Sequence, residues 1–163
     1  MENNILIAII AVSGTLAGVI ISTIGTYIVQ SKSYEREKKR EREKEQREIR
    51  REVLSNRLNI IEESANIMMF LNGLKMSEDF GDFIYSDKTT IQEKRKRLEE
   101  ISGMSWTAIQ ATDSADLKKN YGAITHAYWQ SESTGAIGSK EWNEASEGFV
   151  RLVKIIDDMK AMV

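Results

Sequence analysis

His126 is the only histidine of the chain, and cysteine is absent. Any metal site would therefore rest almost wholly on carboxylates, which suit harder ions. Di-iron bundles draw a Glu-x-x-His motif from each of two helices, and the sequence contains no such motif. Zinc favours nitrogen and sulfur ligands, which one histidine cannot supply. No metal or other cofactor is expected, and without cysteine there are no disulfides or thiol chemistry. His126, between Thr125 and Ala127, reads as a structural or exposed side chain rather than a catalytic one.

The loop Gly135-Ala-Ile-Gly138-Ser-Lys140 holds the ingredients of a phosphate-binding loop in the wrong order. That motif needs G-x-x-x-x-G-K-[ST] after a strand; here the glycines are too close and Ser139 precedes Lys140. The loop reads as a turn that caps the last helix through Ser139. Glu62-Glu63 and Glu99-Glu100 are sequence neighbours, so on a helix their side chains diverge by about 100° and cannot work as an acid–base pair. They read as solvated faces. No convergent catalytic set remains, and the chain is not expected to be an enzyme.

The aromatics Trp106, Trp129, Trp142, Phe80, Phe83, Tyr85 and Tyr121 can form either a core or a binding groove, with the core as the expected use. Trp129 stands apart. It directly follows the inward-facing Tyr128, which puts it at the edge of the domain, where an aromatic can anchor a partner.

The elements that must carry these residues divide sharply near Gln30. Ile5 to Val29 contains no charged residue, and thirteen of its 25 residues are Ile, Leu or Val. About 20 helical residues cross a hydrocarbon layer of roughly 30 Å, so the segment predicts a membrane-spanning helix. A cleavable signal would have a basic leader, a shorter apolar run and a small-residue cleavage site; Met-Glu-Asn-Asn and the long run fit a retained anchor instead. Lys32, Arg36, Lys38, Lys39 and Arg40 follow the span directly. The positive-inside rule then predicts a cell-membrane protein with its N-terminus outside and its C-terminal part in the cytoplasm. Tyr27 occupies an interfacial position.

At 100° per residue, Ala11, Gly14, Thr15, Gly18, Ser22 and Gly25 share one face of that helix within an arc of about 100°. Gly14 and Gly18 make a G-x-x-x-G pair. In lipid, small residues let helix backbones approach closely and hydroxyls can bond across the contact, so this face predicts self-association.

From Lys32 to Arg51 the chain has ten Lys or Arg, six Glu and little that is apolar. Such a stretch cannot bury a core stripe and reads as a solvated helical stem, reaching roughly 30 Å at 1.5 Å per residue. Glu35 with Lys39, Glu43 with Arg47 and Glu41 with Lys44 are expected to pair along it, each worth about 0.2–0.5 kcal/mol. Interleaved glutamates argue against a pure lipid-binding polybasic signal. Residues 52–163 carry thirteen Lys or Arg against eighteen Asp or Glu, and an acidic balance disfavours nucleic acid as a partner.

Apolar periodicity starts after the stem, and the chain has no proline to interrupt helices. Val53, Ile60, Ile67 and Leu74, joined by Leu54, Leu58, Ile61, Ala65 and Met68, predict a helix running to about Met76. Ser77 to Thr90 reads as a connection plugged by Phe80, Phe83 and Tyr85. Thr90-Ile-Gln-Glu93 fits a capping box opening a helix to about Thr112, with Ile91, Leu98, Ile101, Ala108 and Ile109 inward. Asp113 or Ser114 opens a third helix with Leu117, Tyr121, Ile124 and Tyr128 inward, and Ser131 to Ser139 reads as a loop. Trp142, Ala145, Phe149, Leu152, Ile156, Met159 and Val163 are spaced alternately by three and four, a seam suited to an antiparallel bundle.

The expected fold is all-α. Residues 1–4 form a short extracytoplasmic N-terminus, 5–29 the transmembrane helix, 30–51 the charged stem and 52–163 a cytoplasmic antiparallel four-helix bundle. The expected function is a single-pass anchored assembly, scaffold or partner-binding module. Its partners would be the lipid bilayer, further copies of itself, and a cytoplasmic or membrane protein. A rival from another class is an oligomeric pore, with Thr15, Ser22 and Thr26 along a polar path and the bundle as its control.

Overall fold

The computed structural model of the chain describes residues 2–79 and 88–162, with side chains from Ser13 to Ser77 in the first stretch. The connection bearing Phe80, Phe83 and Tyr85, the side chain of Ala11, and Val163 lie outside the described residues. Four helices account for nearly everything described: α1 (Glu2–Asp79), α2 (Lys88–Gln110), α3 (Ala115–Thr134) and α4 (Ser139–Ala161). The protein is all-helical, as expected, with no strand among the described residues.

Two compact units divide at Arg50. In the first, Met1–Arg50, the described apolar side chains of α1 have nothing to pack on: Leu16, Val19, Ile20, Ile21 and Ile24 are all more than half exposed. From Ser13 the helix is long and apolar enough to cross a membrane, and none of its apolar window is buried. Two of its hydroxyls are satisfied internally. Thr23 Oγ1 donates to the Val19 carbonyl at 2.8 Å and Thr26 Oγ1 to the Ser22 carbonyl at 2.9 Å. In the charged stretch that follows, every side chain is exposed. The expected pairs Glu35–Lys39, Glu41–Lys44 and Glu43–Arg47 are not among the ion pairs formed by the described residues. Exposed pairs of long side chains gain little over hydration.

The second unit, Arg51–Val163, is held by a core drawn from all four helices. Leu58, Ile61, Ala65 and Met68 from α1 meet Leu98 and Ile101 from α2, Leu117, Tyr121 and Ile124 from α3, and Leu152 and Ile156 from α4. Fully burying each large apolar side chain contributes about 1.5–3 kcal/mol, so this cluster is what makes the packing bundle-like. The buried ladder of α1 steps by three and four from Leu58 through Ile61, Ala65 and Met68 to Asn72. Of the expected heptad residues, Ile67 is buried, Ile60 and Leu74 are half-buried, and Val53 is 43% exposed. Val53 is corrected to a surface residue because it precedes the first core layer at Leu54 and Leu58.

Helix boundaries shift in three places. Thr90 is already inside α2, so it is not the expected cap; a capping residue needs extended backbone, which a helical Thr lacks. Ser131 to Thr134 belongs to α3 rather than to a loop. There the hydroxyls of Ser131, Ser133 and Thr134 donate to carbonyls three or four residues back, at 2.8–2.9 Å, and so settle within the helix instead of breaking it. The turn shrinks to Gly135–Gly138, with Gly135 at φ 80° and its N–H on the Ser131 carbonyl at 3.0 Å. Ser139 is the first residue of α4 and Gly138 is its cap, without a side-chain bond. Ser114 does cap α3, its Oγ accepting the Leu117 N–H at 3.2 Å.

On α4 the expected seam holds: Ala145, Leu152 and Ile156 are buried, and Trp142, Phe149 and Met159 are half-buried. Gly148 joins it without having been expected. A methyl group there would stand 3.2 Å from the Asn120 carbonyl oxygen and 3.5 Å from Ala123 Cβ, so the absence of a side chain lets α4 lie close against α3. One turn earlier on α4, Ala145 shares a cluster with Ala127 and Ile137.

Candidate functional site

A groove of about 530 Å³ runs over α2 and α3, within the usual size of ligand and anchor pockets. Trp106 and Gly103 of α2 and Tyr128 and Trp129 of α3 line it, with Leu98 and Met68 below. Trp129 is 62% exposed and Trp106 58%. The position expected of Trp129 at the domain's edge holds, whereas Trp106 is corrected from core to groove wall. Its side of α2 faces water at Ser102, Gly103 and Met104, while Leu98, Ile101 and Ser105 take the inner side. Trp142 is only half-buried, one ring atom lying 3.5 Å from where a side chain on Gly73 would begin.

The groove has a hydrogen-bonded tyrosine, Tyr121, in its lining and one charged end. Tyr121 Oη donates to Ser105 Oγ at 2.9 Å and lies 2.7 Å from Ser64 Oγ. This buried chain joins α3, α2 and α1, and its polar members are satisfied where a buried polar group must be. Tyr128 meets Trp129 edge-on, ring centres 5.3 Å apart, a favourable aromatic geometry. At the charged end, Arg95 donates two bonds to the Glu132 carboxylate at 3.0 and 3.2 Å, and Lys75 approaches the same group at 3.8 Å. Burial, then the charge of Glu132, pushes the Tyr128 hydroxyl above its ordinary value.

The remaining predicted residues fall elsewhere. His126 is exposed on α3. Glu62 and Glu63 do diverge, and besides remaining partly solvated each reaches another helix. Glu62 accepts from Lys160 Nζ of α4 at 2.7 Å, while Glu63 accepts from Arg97 of α2 at 2.7 and 3.0 Å. They are helix-to-helix ties. The Arg97 hydrogen bond also draws the Glu63 carboxyl below its ordinary value. Glu100 reaches Arg97 at 3.5 Å, and Lys140 lies 4.0 Å from Glu144. Among the described residues, no three His, Asp or Glu are grouped to hold a metal ion.

In the first unit, Gly14, Thr15, Gly18, Ser22 and Gly25 are all exposed, and a methyl group at any of the three glycines would meet nothing within 4 Å. The side of the helix they share is open to a neighbour. Lys32, Arg36, Lys38, Lys39 and Arg40 are exposed as well. No protein-family model, curated protein or solved structure matches the chain.

Proposed function

We propose that this protein is a single-pass, membrane-anchored assembly module. Its N-terminus lies outside the cell, and residues 52–163 form an antiparallel four-helix bundle in the cytoplasm. Ala11, Gly14, Thr15, Gly18, Ser22 and Gly25 pack against another copy in the bilayer, and Lys32, Arg36, Lys38, Lys39 and Arg40 hold the orientation. The groove beside Trp129 receives a cytoplasmic or membrane protein partner. The observation that supports this reading most directly is the apolar stretch of α1 with its bulky side chains exposed and one side of open glycines. In water that surface would be costly; in lipid it needs no cover, and only small-residue contact adds to it.

The test is association of the full chain in membranes. A Gly18→Ile substitution should weaken crosslinking several-fold while leaving the protein in the membrane pellet. Unchanged crosslinking would remove the packing role, and a chain found in the supernatant would remove the anchor. Entry of a small dye into cells expressing the intact chain would replace the assembly reading with a pore.

A further inference from the structure

The charged part of α1 has two faces of opposite sign. At 100° per residue, Lys32, Arg36, Arg40, Lys44, Arg47 and Arg50 fall within an arc of about 120°, with Lys39 at its edge. Glu37, Glu41, Glu45 and Glu48 fall within about 80° on the adjoining side, Glu37 about 20° round from Lys44. Glu43 is the single acid inside the basic arc; Glu35, Lys38 and Arg42 occupy the flank between the two.

A solitary solvated helix is favoured by opposite charges four residues apart and disfavoured by like charges there. Here the like-charged spacing-four neighbours, Lys32–Arg36, Arg36–Arg40 and Arg40–Lys44 on one face and Glu37–Glu41 and Glu41–Glu45 on the other among them, outnumber the opposite pairs Glu35–Lys39, Lys39–Glu43, Glu43–Arg47 and Lys44–Glu48. Each face repels itself along its length. None of these side chains joins an ion pair formed among the described residues. A second copy resolves the repulsion. In a parallel pair in register, Arg36 stands beside the partner copy's acidic face at the height of residue 37, Arg40 at that of 41, Lys44 at that of 45, and Arg47 at that of 48. Each height mismatch is one residue, about 1.5 Å.

We infer that the stem is a heterologous interface, the basic face of one copy meeting the acidic face of the next. The inference rests on the membrane-anchor reading, since insertion of the span makes neighbours parallel and sets their register. Such a contact leaves one face of each copy unused, so it continues into a ring or an open array of more than two chains. The same rotation fits the span. Gly14, Gly18, Ser22 and Gly25 lie on the basic side of the helix and Leu16, Val19, Thr23 and Tyr27 on the acidic side, so bulky side chains of one copy meet the small-residue side of the next. A two-fold contact through the small-residue side would instead set basic face against basic face.

The chain has no cysteine, which makes crosslinking clean. Full-length Arg36→Cys and Glu37→Cys variants with different tags are co-expressed and treated in isolated membranes with a short bismaleimide. Mixed 36–37 products should exceed 36–36 products several-fold and fall with added salt. The double variant R36C/E37C should give a ladder extending beyond the dimer. Reversing Glu41, Glu45 and Glu48 to Lys within the double variant should abolish the ladder, and co-expression of that chain with Arg36→Cys carrying Glu at 40, 44 and 47 should restore mixed products. Predominant 36–36 product, or a ladder ending at the dimer, overturns the interface while the protein stays in the membrane pellet. Loss of the protein to the supernatant overturns the anchor, and the interface with it.

Discussion

Ser131 Oγ donates to Asn72 Oδ1 at 2.9 Å, while the Nδ2 of the same fully buried Asn72 has no partner. Ser131 shares its proton with the Tyr128 carbonyl at 2.8 Å, so it depends on Asn72 for nothing essential. Turning the amide over would exchange an orphaned donor for an orphaned acceptor. An unsatisfied buried donor costs about 1–3 kcal/mol. Asn72→Leu, with the same branched outline but apolar and somewhat bulkier, should therefore raise stability by up to about 1 kcal/mol, read as a higher midpoint in thermal unfolding of the full chain in detergent. Asn72→Asp should lower it sharply, because burial penalises the charge.

Glu63 ties α1 to α2 through Arg97, and that bond holds its carboxyl below the ordinary value of 4.5. A lowered folded-state value means the contribution is fully present above about pH 4.5 and fades as pH falls through the folded value. Melting temperature against pH for the natural chain and for Glu63→Gln should show a small gap near neutrality that closes on acidification. The gap is small because the carboxylate is 40% exposed and water screens it. A gap that widens toward acid would refute the assignment.

Gly135 is the one described residue with positive φ, at 80°. It ends α3 in a left-handed turn, a conformation that costs a residue with a Cβ about 1–2 kcal/mol. Gly135→Ala should lose about 1 kcal/mol in chemical unfolding, and Gly135→Asn less, since Asn tolerates that region.

Most of the fold is legible in the sequence because periodicity reports burial directly. Leu98, Ile101, Leu117, Ile124, Leu152 and Ile156 all lie where their spacing puts them. Boundaries are harder to read. Hydroxyl residues such as Ser131 and Thr134 look like loop formers until their side chains are seen to bond the helix's own backbone. Polar core positions are not legible either: Ser64, Ser105 and Asn72 are fully buried, and only their partners across helices explain this. The groove was half legible. Trp129 betrays itself by following an inward Tyr, whereas Trp106 needs the arrangement of α2 and α3 to be recognised as its opposite wall.

Thr23 and Thr26 bond their hydroxyls to carbonyls of their own helix. In the proposed bilayer setting, these two hydroxyls of a solitary copy are thus already satisfied, and gathering into an assembly rescues neither of them. Under the proposed assembly, copies would then be free to meet and part, with the population set by surface density and salt, a tunable equilibrium rather than a permanent weld.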